Sequence, residues 1–324
     1  MRDMRGHPMR VLPSTRAFLR EARQVPGYRP LDFLHGYIYG RWPYLYIALA
    51  TGEHPLARRL RPLLDRLEKV TLHGRRQETA GAVRFADTYH GKVVPLDAAR
   101  SLVSVGQPIR LSAPEQVIPY ARARDIVLEN PDHIVALECP CRSSRAHPCK
   151  PLDVCLIVGE PFAGFMAEHH PSRARRITQA EAERILREEE ERGHVHHAFF
   201  KDAMLDRFYA ICNCCSCCCG AMQAQRNGAG MLASSGFVSE VDPDLCTGCG
   251  TCAEFCQFEA ISVADGKSHV DRQRCMGCGV CTSHCPHDAH RLIRAEEKGT
   301  PLEIMALVTA SAPAPRGPVA AGAH

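Results

Sequence analysis

Two short cysteine runs decide how the C-terminal part of this chain folds. The first is CTGCGTCAEFC at residues 246–256, and the second is CMGCGVCTSHCP at residues 275–286. Both runs have the spacing C-x2-C-x2-C-x3-C. Thiols this crowded are typical of metal ligands, because a disulfide needs Cα separations and side-chain directions that such spacing rarely provides. Flanking residues repeat as well, in the pairs Val241 and Val270, Asp242 and Asp271, and Ala260 and Ala289.

The cysteine spacing favours iron–sulfur clusters over zinc. Three thiolates at this spacing can bind three corners of one iron–sulfur cubane. The fourth cysteine of each run starts from the other side of a helical turn and reaches the second cluster. Gly248 and Gly277 lie between ligands, where the lack of a Cβ lets backbone N–H groups approach the sulfides. Zinc sites more often have two CxxC pairs separated by a longer spacer.

Residues 237–296 resemble the bacterial dicluster ferredoxins over their whole length. The resemblance implies two 4Fe–4S clusters in a domain that relays electrons and binds no substrate itself. It implies that one cluster is bound by Cys246, Cys249, Cys252 and Cys285, and the other by Cys275, Cys278, Cys281 and Cys256. The family has a proline after each run. Pro286 fits this pattern, whereas Gln257 departs from it, which is expected to alter rigidity or solvent access near one cluster.

The other ten of the 18 cysteines form two groups upstream. They are Cys139, Cys141, Cys149 and Cys155, followed by Cys212, Cys214, Cys215, Cys217, Cys218 and Cys219. An extended segment would point Cys212, Cys214 and Cys218 to one side and the remaining three to the other, and a helix would also divide the six. One four-ligand site therefore does not account for them, and we treat all ten as candidate metal ligands.

Several kinds of site are open for these ten thiols. Their number suffices for two further cubanes with two thiols left over, for one cubane beside a reactive set, or for a cluster with extra bridging cysteines. The alternatives are a zinc site, redox-active thiols without a metal and, for Cys155, a simple buried apolar role. Soft thiolate ligands at this spacing favour a third iron–sulfur centre.

Three upstream segments are similar to a cysteine-rich N-terminal module of prokaryotic 4Fe–4S dicluster proteins whose function is poorly defined. They are residues 134–155, 178–197 and 211–220, and the C-P-C-R and C-N-C-C-x-C-C-C elements carry the resemblance. The resemblance covers most of residues 90–220. It implies one folded unit that brings the cysteines together, and it supplies no substrate.

The expected fold class is α+β, with a mostly helical N-terminal part and a short-strand element, followed by a ferredoxin-type dicluster domain. Composition divides the chain into four regions. Residues 1–138 are mixed and mainly helical, and residues 139–236 form the cysteine-rich module with a linker at its end. Residues 237–296 form the ferredoxin domain, and residues 297–324 form a tail that we expect to be largely disordered.

Local patterns predict individual elements before the first cysteines. Residues 97–105 and 121–129 are short helix candidates. The Asn-Pro-Asp sequence at residues 130–132 predicts a turn, and residues 133–137 suit a buried strand that leads to the first two cysteines.

Further elements are predicted around the second cysteine group. Thr178, with Glu181 three residues later, forms a capping box for a helix that Gly193 ends. A second amphipathic stretch, residues 198–211, leads into the six cysteines. The run at 227–236, rich in Gly, Ala and Ser, is predicted to be a flexible linker.

Five histidines are further candidate ligands, namely His169, His170, His194, His196 and His197. A solvated or helix-capping role is favoured for them, because a cation near the end of a helix suits the helix dipole. Among the five, His196 is the first candidate for a functional role.

Charge and hydropathy restrict the partners. The net charge is +4, and the basic excess is local, with seven Arg in residues 1–30 and seven Lys or Arg in residues 58–76. No nucleic-acid module is recognised there, so a solvated surface is favoured over nucleic-acid binding. Residues 1–21 lack the apolar core of a secretory signal, and no stretch of about 18 apolar residues occurs. We therefore expect a cytoplasmic protein without a membrane span, in a reducing environment.

These patterns favour an electron carrier or a component of an oxidoreductase over a stand-alone enzyme, and they assign no catalytic residue. Single electrons would pass through two 4Fe–4S clusters to or from a third metal centre and a redox protein partner. The alternative is a reductase whose substrate-binding iron–sulfur centre is built on residues 212–219. A DNA-binding redox sensor is a third hypothesis, but no helix-turn-helix is evident. Neither the electron partner nor the oligomeric state follows from the sequence.

Overall fold

An eight-stranded mixed sheet lies at the centre of the protein in the computed structural model, which describes residues 11–57, 89–113 and 124–311. The strands are β1 Tyr89–Val93, β2 Ile109–Ala113, β3 Arg124–Leu137, β4 Cys155–Glu160, β5 Ala174–Ile177, β6 Val195–Lys201, β7 Arg207–Cys214, β8 Leu232–Ala233, β9 Phe237–Val241, β10 Ile261–Ala264, β11 Lys267–Val270 and β12 His290–Arg294. The helices are α1 Pro13–Ala22, α2 Pro30–Arg41, α3 Pro43–Ala50, α4 Leu96–Val103, α5 Pro140–Ser143, α6 Phe162–His169, α7 Gln179–Glu191, α8 Gly220–Arg226, α9 Thr251–Phe255, α10 Val280–Ser283 and α11 Ile304–Ser311. This mixture of helices and strands agrees with the expected α+β class.

The large sheet combines strands from before and after residue 138, which was the predicted boundary between the N-terminal region and the cysteine-rich module. Its order is β2-β3-β4-β7-β6-β1-β8, and β5 pairs with β3. Two smaller antiparallel pairs, β9 with β12 and β10 with β11, build the C-terminal region. No helix within the described ranges is both long and apolar enough to cross a membrane.

β3 replaces the helix that was predicted at residues 121–129, of which 121–123 lie outside the described residues. Ile126 and Leu128 are both buried, two residues apart, which is the period of a strand. The Asn-Pro-Asp sequence does not end the strand. Asn130 has a positive φ of 50°, and the pairing with β4 shifts register between Glu129 and Ile134, so the predicted turn is a bulge inside one strand. The strand predicted at residues 133–137 forms as the second half of β3.

The stretch 198–211 is a strand hairpin rather than an amphipathic helix. β6 is buried at all seven positions, and β7 is buried at seven of eight. A 3-10 turn, Asp202–Met204, joins them, and Leu205 follows in the left-handed region at φ 60°. Because both faces of these strands are buried, apolar residues do not alternate with polar ones, so the hydrophobic pattern does not show a period of two.

The predicted helices at 97–105 and after Thr178 are present as α4 and α7. The Thr178 hydroxyl accepts a hydrogen bond from the Glu181 N–H at 3.2 Å, as a helix N-cap does. Gly193 follows the helix with a φ of 76°, and a Cβ there would lie 2.4 Å from the Phe255 ring. This glycine therefore both ends α7 and lets the C-terminal region pack against it.

Two segments expected to lack structure are partly folded. Within 227–236, β8 pairs with β1, and Met231, Leu232 and Ala233 are buried. Within 297–324, Leu302 and Ile304 are buried, and α11 packs against β2 and α4. Residues 312–324 and the basic segment at 58–76 lie outside the described residues.

A buried ion pair fixes α5 against α7. The Arg142 guanidinium donates to the Glu189 carboxylate at 2.6 Å, and the two side chains are 1% and 0% exposed. Arg142 also donates to the carbonyl oxygens of Pro151 and Asn213, at 2.6 Å and 2.9 Å. Burial opposes the ionisation of Glu189, but hydrogen bonding from His194 and the charge of Arg142 hold its pKa below the ordinary value. The pair therefore remains ionised inside the protein.

Removing one partner of this pair should destabilise the protein strongly. Glu189→Ala leaves Arg142 charged and buried, so we expect the free energy of unfolding to fall by about 3–5 kcal/mol. Glu188→Ala on the same helix is the control, since Glu188 pairs with Arg184 where both side chains are partly exposed. That change should cost less than about 1 kcal/mol. Chemical denaturation of both variants measures the difference, and equal losses would contradict the role given to the pair.

Candidate metal centres

The two halves of the C-terminal repeat exchange hydrogen bonds. Ser268 in the second half donates its N–H to the Sγ of Cys246 in the first half, at 3.3 Å. Ser239 in the first half donates its N–H to the Sγ of Cys275 in the second half, at 3.5 Å. The hydroxyl groups of the same two serines also reach the opposite half: that of Ser268 contacts the Sγ of Cys252, and that of Ser239 contacts the Sγ of Cys281. Each half therefore completes the sulfur environment of the other.

The eight cysteines of this repeat lie in two groups. Cys246, Cys249, Cys252 and Cys285 line one small cavity, together with Ser268 and Pro286. In the second group, burial and then the neighbouring thiolates of Cys275 and Cys256 raise the pKa of Cys281 to about 12. Burial and then the charges of Cys281 and Cys256 likewise raise the pKa of Cys278. In each group, three cysteines come from one run and the fourth comes from the other.

Glycines allow the ligand loops to approach other backbone segments. Gly248 has a φ of 68°, and a Cβ there would lie 2.3 Å from the Gly266 carbonyl oxygen. Gly277, at the equivalent position of the second run, has a φ of 64°, and its Cβ would lie 2.2 Å from the Phe237 carbonyl oxygen. Asp265 and Gly266 form the hairpin turn between β10 and β11, with φ values of 50° and 71°.

Six of the ten upstream cysteines form one connected set, which we call the six-thiol set. Its members are Cys139, Cys141, Cys155, Cys212, Cys214 and Cys219. Hydrogen bonds from the thiols of Cys141 and then Cys155 lower the pKa of Cys139. Cys155 in turn contacts Cys212, and Cys141 contacts Cys219, which contacts Cys214. The six thiols thus form a continuous chain of contacts contributed by α5, β4, β7 and the start of α8.

All six thiols line a cavity of about 150 Å³ beneath α2 and α3. The walls are otherwise largely apolar and aromatic, and they include Tyr39, Tyr46 and Met166. Lys201 is 1% exposed and lines the same cavity, with its ammonium over the rings of Tyr39 and Tyr46 at 4.8 Å and 5.7 Å. A soft donor set around a largely apolar cavity, beside the two buried cations Lys201 and Arg142, fits an anionic thiolate-ligated cluster.

The remaining four upstream cysteines form a compact group nearer the surface, which we call the four-thiol set. It contains Cys149, Cys215, Cys217 and Cys218, and the four Sγ atoms all lie within 4.8 Å of one another. Cys217 is exposed and Cys149 is partly exposed, whereas Cys215 and Cys218 are buried. Within the described ranges, this is the one group of three or more His, Cys, Asp or Glu side chains arranged to hold a single metal ion.

The six cysteines at residues 212–219 are divided between the six-thiol set and the four-thiol set, but the division does not follow the alternation of side chains along a strand. β7 ends at Cys214, and the chain then turns so that the Cys219 N–H donates to the Cys215 carbonyl oxygen at 3.1 Å. The turn returns Cys219 to the side of Cys212 and Cys214. The cysteines within the turn, at 215, 217 and 218, face Cys149 instead. Neither the strand nor the helix pattern predicted this membership, because the segment is half strand and half turn.

Arg142 lies between the two thiol sets. Against the opposing effect of burial, the carboxylate of Glu189 and the thiolates of Cys139 and Cys215 raise the pKa of Arg142. Cys139 belongs to the six-thiol set and Cys215 to the four-thiol set, so one buried cation offsets negative charge on both. Arg142 was not among the residues predicted from the sequence, although it directly follows the C-P-C element.

The five candidate histidines are buried rather than solvated. The His196 ring contacts Asn213 Oδ1 at 2.6 Å and lies 3.1 Å from Glu190. His194 contacts Glu189 at 2.7 Å. Burial lowers the pKa of His197 to about 3 and that of His169 to about 4. Burial also lowers the pKa of His170, which contacts the Gly40 carbonyl oxygen.

The C-terminal repeat contacts the upstream cysteine turn directly. The Gln257 side-chain oxygen accepts a hydrogen bond from the Ser216 N–H at 2.8 Å. Gln257 follows Cys256, and Ser216 lies between Cys215 and Cys217. On the other side, Ser283 donates to the Glu190 carboxylate at 2.8 Å. The residue that departs from the ferredoxin pattern therefore makes a contact that proline could not make.

Comparisons with known proteins agree with the C-terminal geometry. The family described as "4Fe-4S binding domain" matches residues 239–262 and 269–289. One component of the ferredoxin:CoB-CoM heterodisulfide reductase of Methanosarcina mazei is 42% identical over 50 residues, which are 15% of this chain and 6% of that protein. The chain therefore matches only a small part of this relative. Residues 239–289 are a 4Fe–4S binding domain of ferredoxin type, and a cysteine-rich region lies upstream of it.

Proposed function

We propose that this protein transfers single electrons between two 4Fe–4S clusters in the C-terminal domain, a third metal centre in the six-thiol set, and a redox protein partner. The crossed hydrogen bonding of Ser239 and Ser268 carries the proposal, because it surrounds two separate thiolate groups with equivalent donors. When bound, 4Fe–4S clusters supply reversible one-electron transfer at potentials set by charge, hydrogen bonds to sulfur and burial.

The chain would hold the two clusters in the arrangement that the ferredoxin resemblance implies. Cys246, Cys249, Cys252 and Cys285 line one cavity, which supports their assignment to one cluster. Cys281 interacts electrostatically with Cys275, Cys278 and Cys256, as well as with Cys252 of the first group, and these neighbours support the other cluster. The N–H groups of Ala260 and Ala289 donate to Cys256 and Cys285, both at 3.2 Å. Such donors stabilise negative charge on sulfur and so favour the reduced state.

The six-thiol set is the proposed place for the third centre. Its thiols line a largely apolar cavity, and the buried cations Arg142 and Lys201 flank them. The contact of Gln257 with Ser216 joins the loop of Cys256 to the upstream cysteine turn through one hydrogen bond. A short connection of this kind supports electron exchange between the C-terminal domain and the upstream region.

A redox partner is proposed from the relative's name. That protein is one component of a heterodisulfide reductase, and its name includes ferredoxin as a reaction partner. The likeness covers only 50 residues, and the family match places the iron–sulfur binding segment of this chain at residues 239–289. We infer that the present chain also exchanges electrons with another protein, of which the comparison gives only the redox class.

Counting iron and sulfide tests the third centre. Anaerobically reconstituted full-length protein should contain about twelve sulfides, four for each of three clusters. The double variant Cys139→Ala/Cys141→Ala should contain about eight, because the six-thiol set loses two adjacent donors. Ser143→Ala is the control, since it lies on the same short helix and its buried hydroxyl has no hydrogen-bond partner among the described residues. About eight sulfides in the unaltered protein would contradict the third cluster.

A matched pair of glycine variants tests the C-terminal ligand loops. Gly248→Ala would place a Cβ 2.3 Å from the Gly266 carbonyl oxygen, so the loop must shift and the bound iron should fall by about four atoms. Gly250→Ala lies in the same run at a φ of 87°, but its Cβ has no neighbour within 4 Å. It should retain its iron at a cost of about 1–2 kcal/mol in stability. Equal iron loss in the two variants would show that close approach is not the constraint.

A reductase is the second candidate function, and the cavity beside the six thiols favours it. Lys201 and three tyrosines line this cavity, which gives it polar groups that can orient a small substrate. An iron with an open coordination position would bind cyanide and change the paramagnetic spectrum of the reduced protein, and Lys201→Met would weaken that change. An unchanged spectrum at saturating cyanide would count against the reductase.

A further inference from the structure

The four-thiol set differs from every other cysteine group in how closely its sulfurs approach. Cys149 and Cys217 have an Sγ–Sγ distance of 3.1 Å, Cys217 and Cys218 have 3.5 Å, and all four sulfurs lie within 4.8 Å. The cysteines of the 4Fe–4S binding domain and of the six-thiol set do not form such a group in the described residues. The four-thiol set is therefore a separate kind of site.

The sulfur spacing fits one metal ion rather than a cluster. Zinc–sulfur bonds of about 2.3 Å in a tetrahedron place the sulfurs about 3.8 Å apart. In a cubane, each thiolate binds its own iron, so the four sulfurs lie further apart by roughly the separation of the irons. The sulfur spacing of the four-thiol set, all within 4.8 Å, is close to that of four ligands around one tetrahedral ion. Of its members only Cys215 lines the 150 Å³ cavity, so that cavity belongs mainly to the six-thiol set.

Polar contacts fix the backbone that carries three of the four thiols. Arg145 donates to the Cys218 carbonyl oxygen at 3.0 Å, and Gln223 donates to the Cys217 carbonyl oxygen at 2.9 Å. Gln257 accepts from the Ser216 N–H at 2.8 Å. These contacts hold the turn from three directions, as the surroundings of metal ligands do. The fourth thiol, Cys149, comes from the segment between α5 and β4.

Charge also suits a divalent ion. Four thiolates around one divalent ion carry a net charge of −2, from four negative sulfurs and one doubly positive metal. The guanidinium of Arg145 contacts the turn at Cys218, and that of Arg142 lies beside Cys215. Two cations thus adjoin a site whose loaded form carries two negative charges, and each cation also pairs with a carboxylate, Arg142 with Glu189 and Arg145 with Glu53.

We propose that Cys149, Cys215, Cys217 and Cys218 bind a single tetrahedral metal ion, zinc or ferrous iron, in a closed site distinct from the iron–sulfur clusters. Four protein sulfurs fill all four positions, which is the arrangement of structural metal sites. The ion joins the segment before β4 to the turn after β7. Because Gln257 bonds to Ser216 inside that turn, the ion also fixes the surface on which the 4Fe–4S binding domain rests.

The excess of metal over sulfide tests this site independently of the clusters. Iron and sulfide are equal in 4Fe–4S clusters, so a mononuclear ion appears as an excess of about one metal atom per chain. We expect this excess in the full-length protein purified anaerobically from medium containing zinc and iron. Elemental analysis identifies the metal, and X-ray absorption at its edge should show four sulfur neighbours at about 2.3 Å.

Variants at both ends of the site complete the test. Cys217→Ala, at an exposed position, and Cys149→Ala, in the other segment, should each remove the excess metal and leave the sulfide content unchanged. Ser216→Ala, between two of the ligands, should retain the excess. Loss of about four irons with four sulfides in Cys217→Ala would overturn the proposal in favour of a cluster. No excess metal in the unaltered protein would overturn it as well, whereas a low sulfide content alone would count only against the third cluster.

Discussion

The arrangement of the upstream region depends on one buried guanidinium. Arg142 makes its bonds to Glu189 and to two backbone carbonyl oxygens without access to solvent. Ten thiols gathered in one region would repel one another once ionised, and a fixed cation between the two sets reduces that cost. Glu189 keeps the cation in place, and it is itself positioned by the helix that begins at Thr178. The capping of one helix and the electrostatics of the cysteine region are thus coupled.

The sequence predicted most where the chemistry is local. In the C-terminal repeat, the ligand spacing, the glycines and the Asp-Gly turn all lie within a few residues of one another, so the geometry follows from the pattern. The helices at 97–105 and after Thr178 were predicted for the same reason, since caps and short-range periodicity specify them. Gln257 also stood out in the sequence, but its partner Ser216 lies 41 residues away.

The sequence predicted least where strands are buried on both faces or where the chain changes conformation within a few residues. The β6–β7 hairpin has almost no exposed position, so neither a helical nor an alternating pattern marks it. The division of the cysteines at 212–219 depends on the residue at which β7 ends and the turn begins. A shift of one residue would exchange members of the two sets, and propensities do not fix element boundaries to that accuracy. Ser239 and Ser268 were missed because their sulfur partners lie in the opposite half of the repeat.

Because Ser239 and Ser268 each donate to a cysteine in the opposite half of the repeat, the domain cannot be divided into two equivalent fragments. A segment with only one cysteine run would contain three of the four thiols in its own group, and it would lack the serine N–H that approaches its first cysteine. Such a fragment is an incomplete unit rather than a smaller version of the domain. Although the repeat is readable in the sequence as two similar units, each folded half depends on a hydrogen-bond donor that the other half supplies.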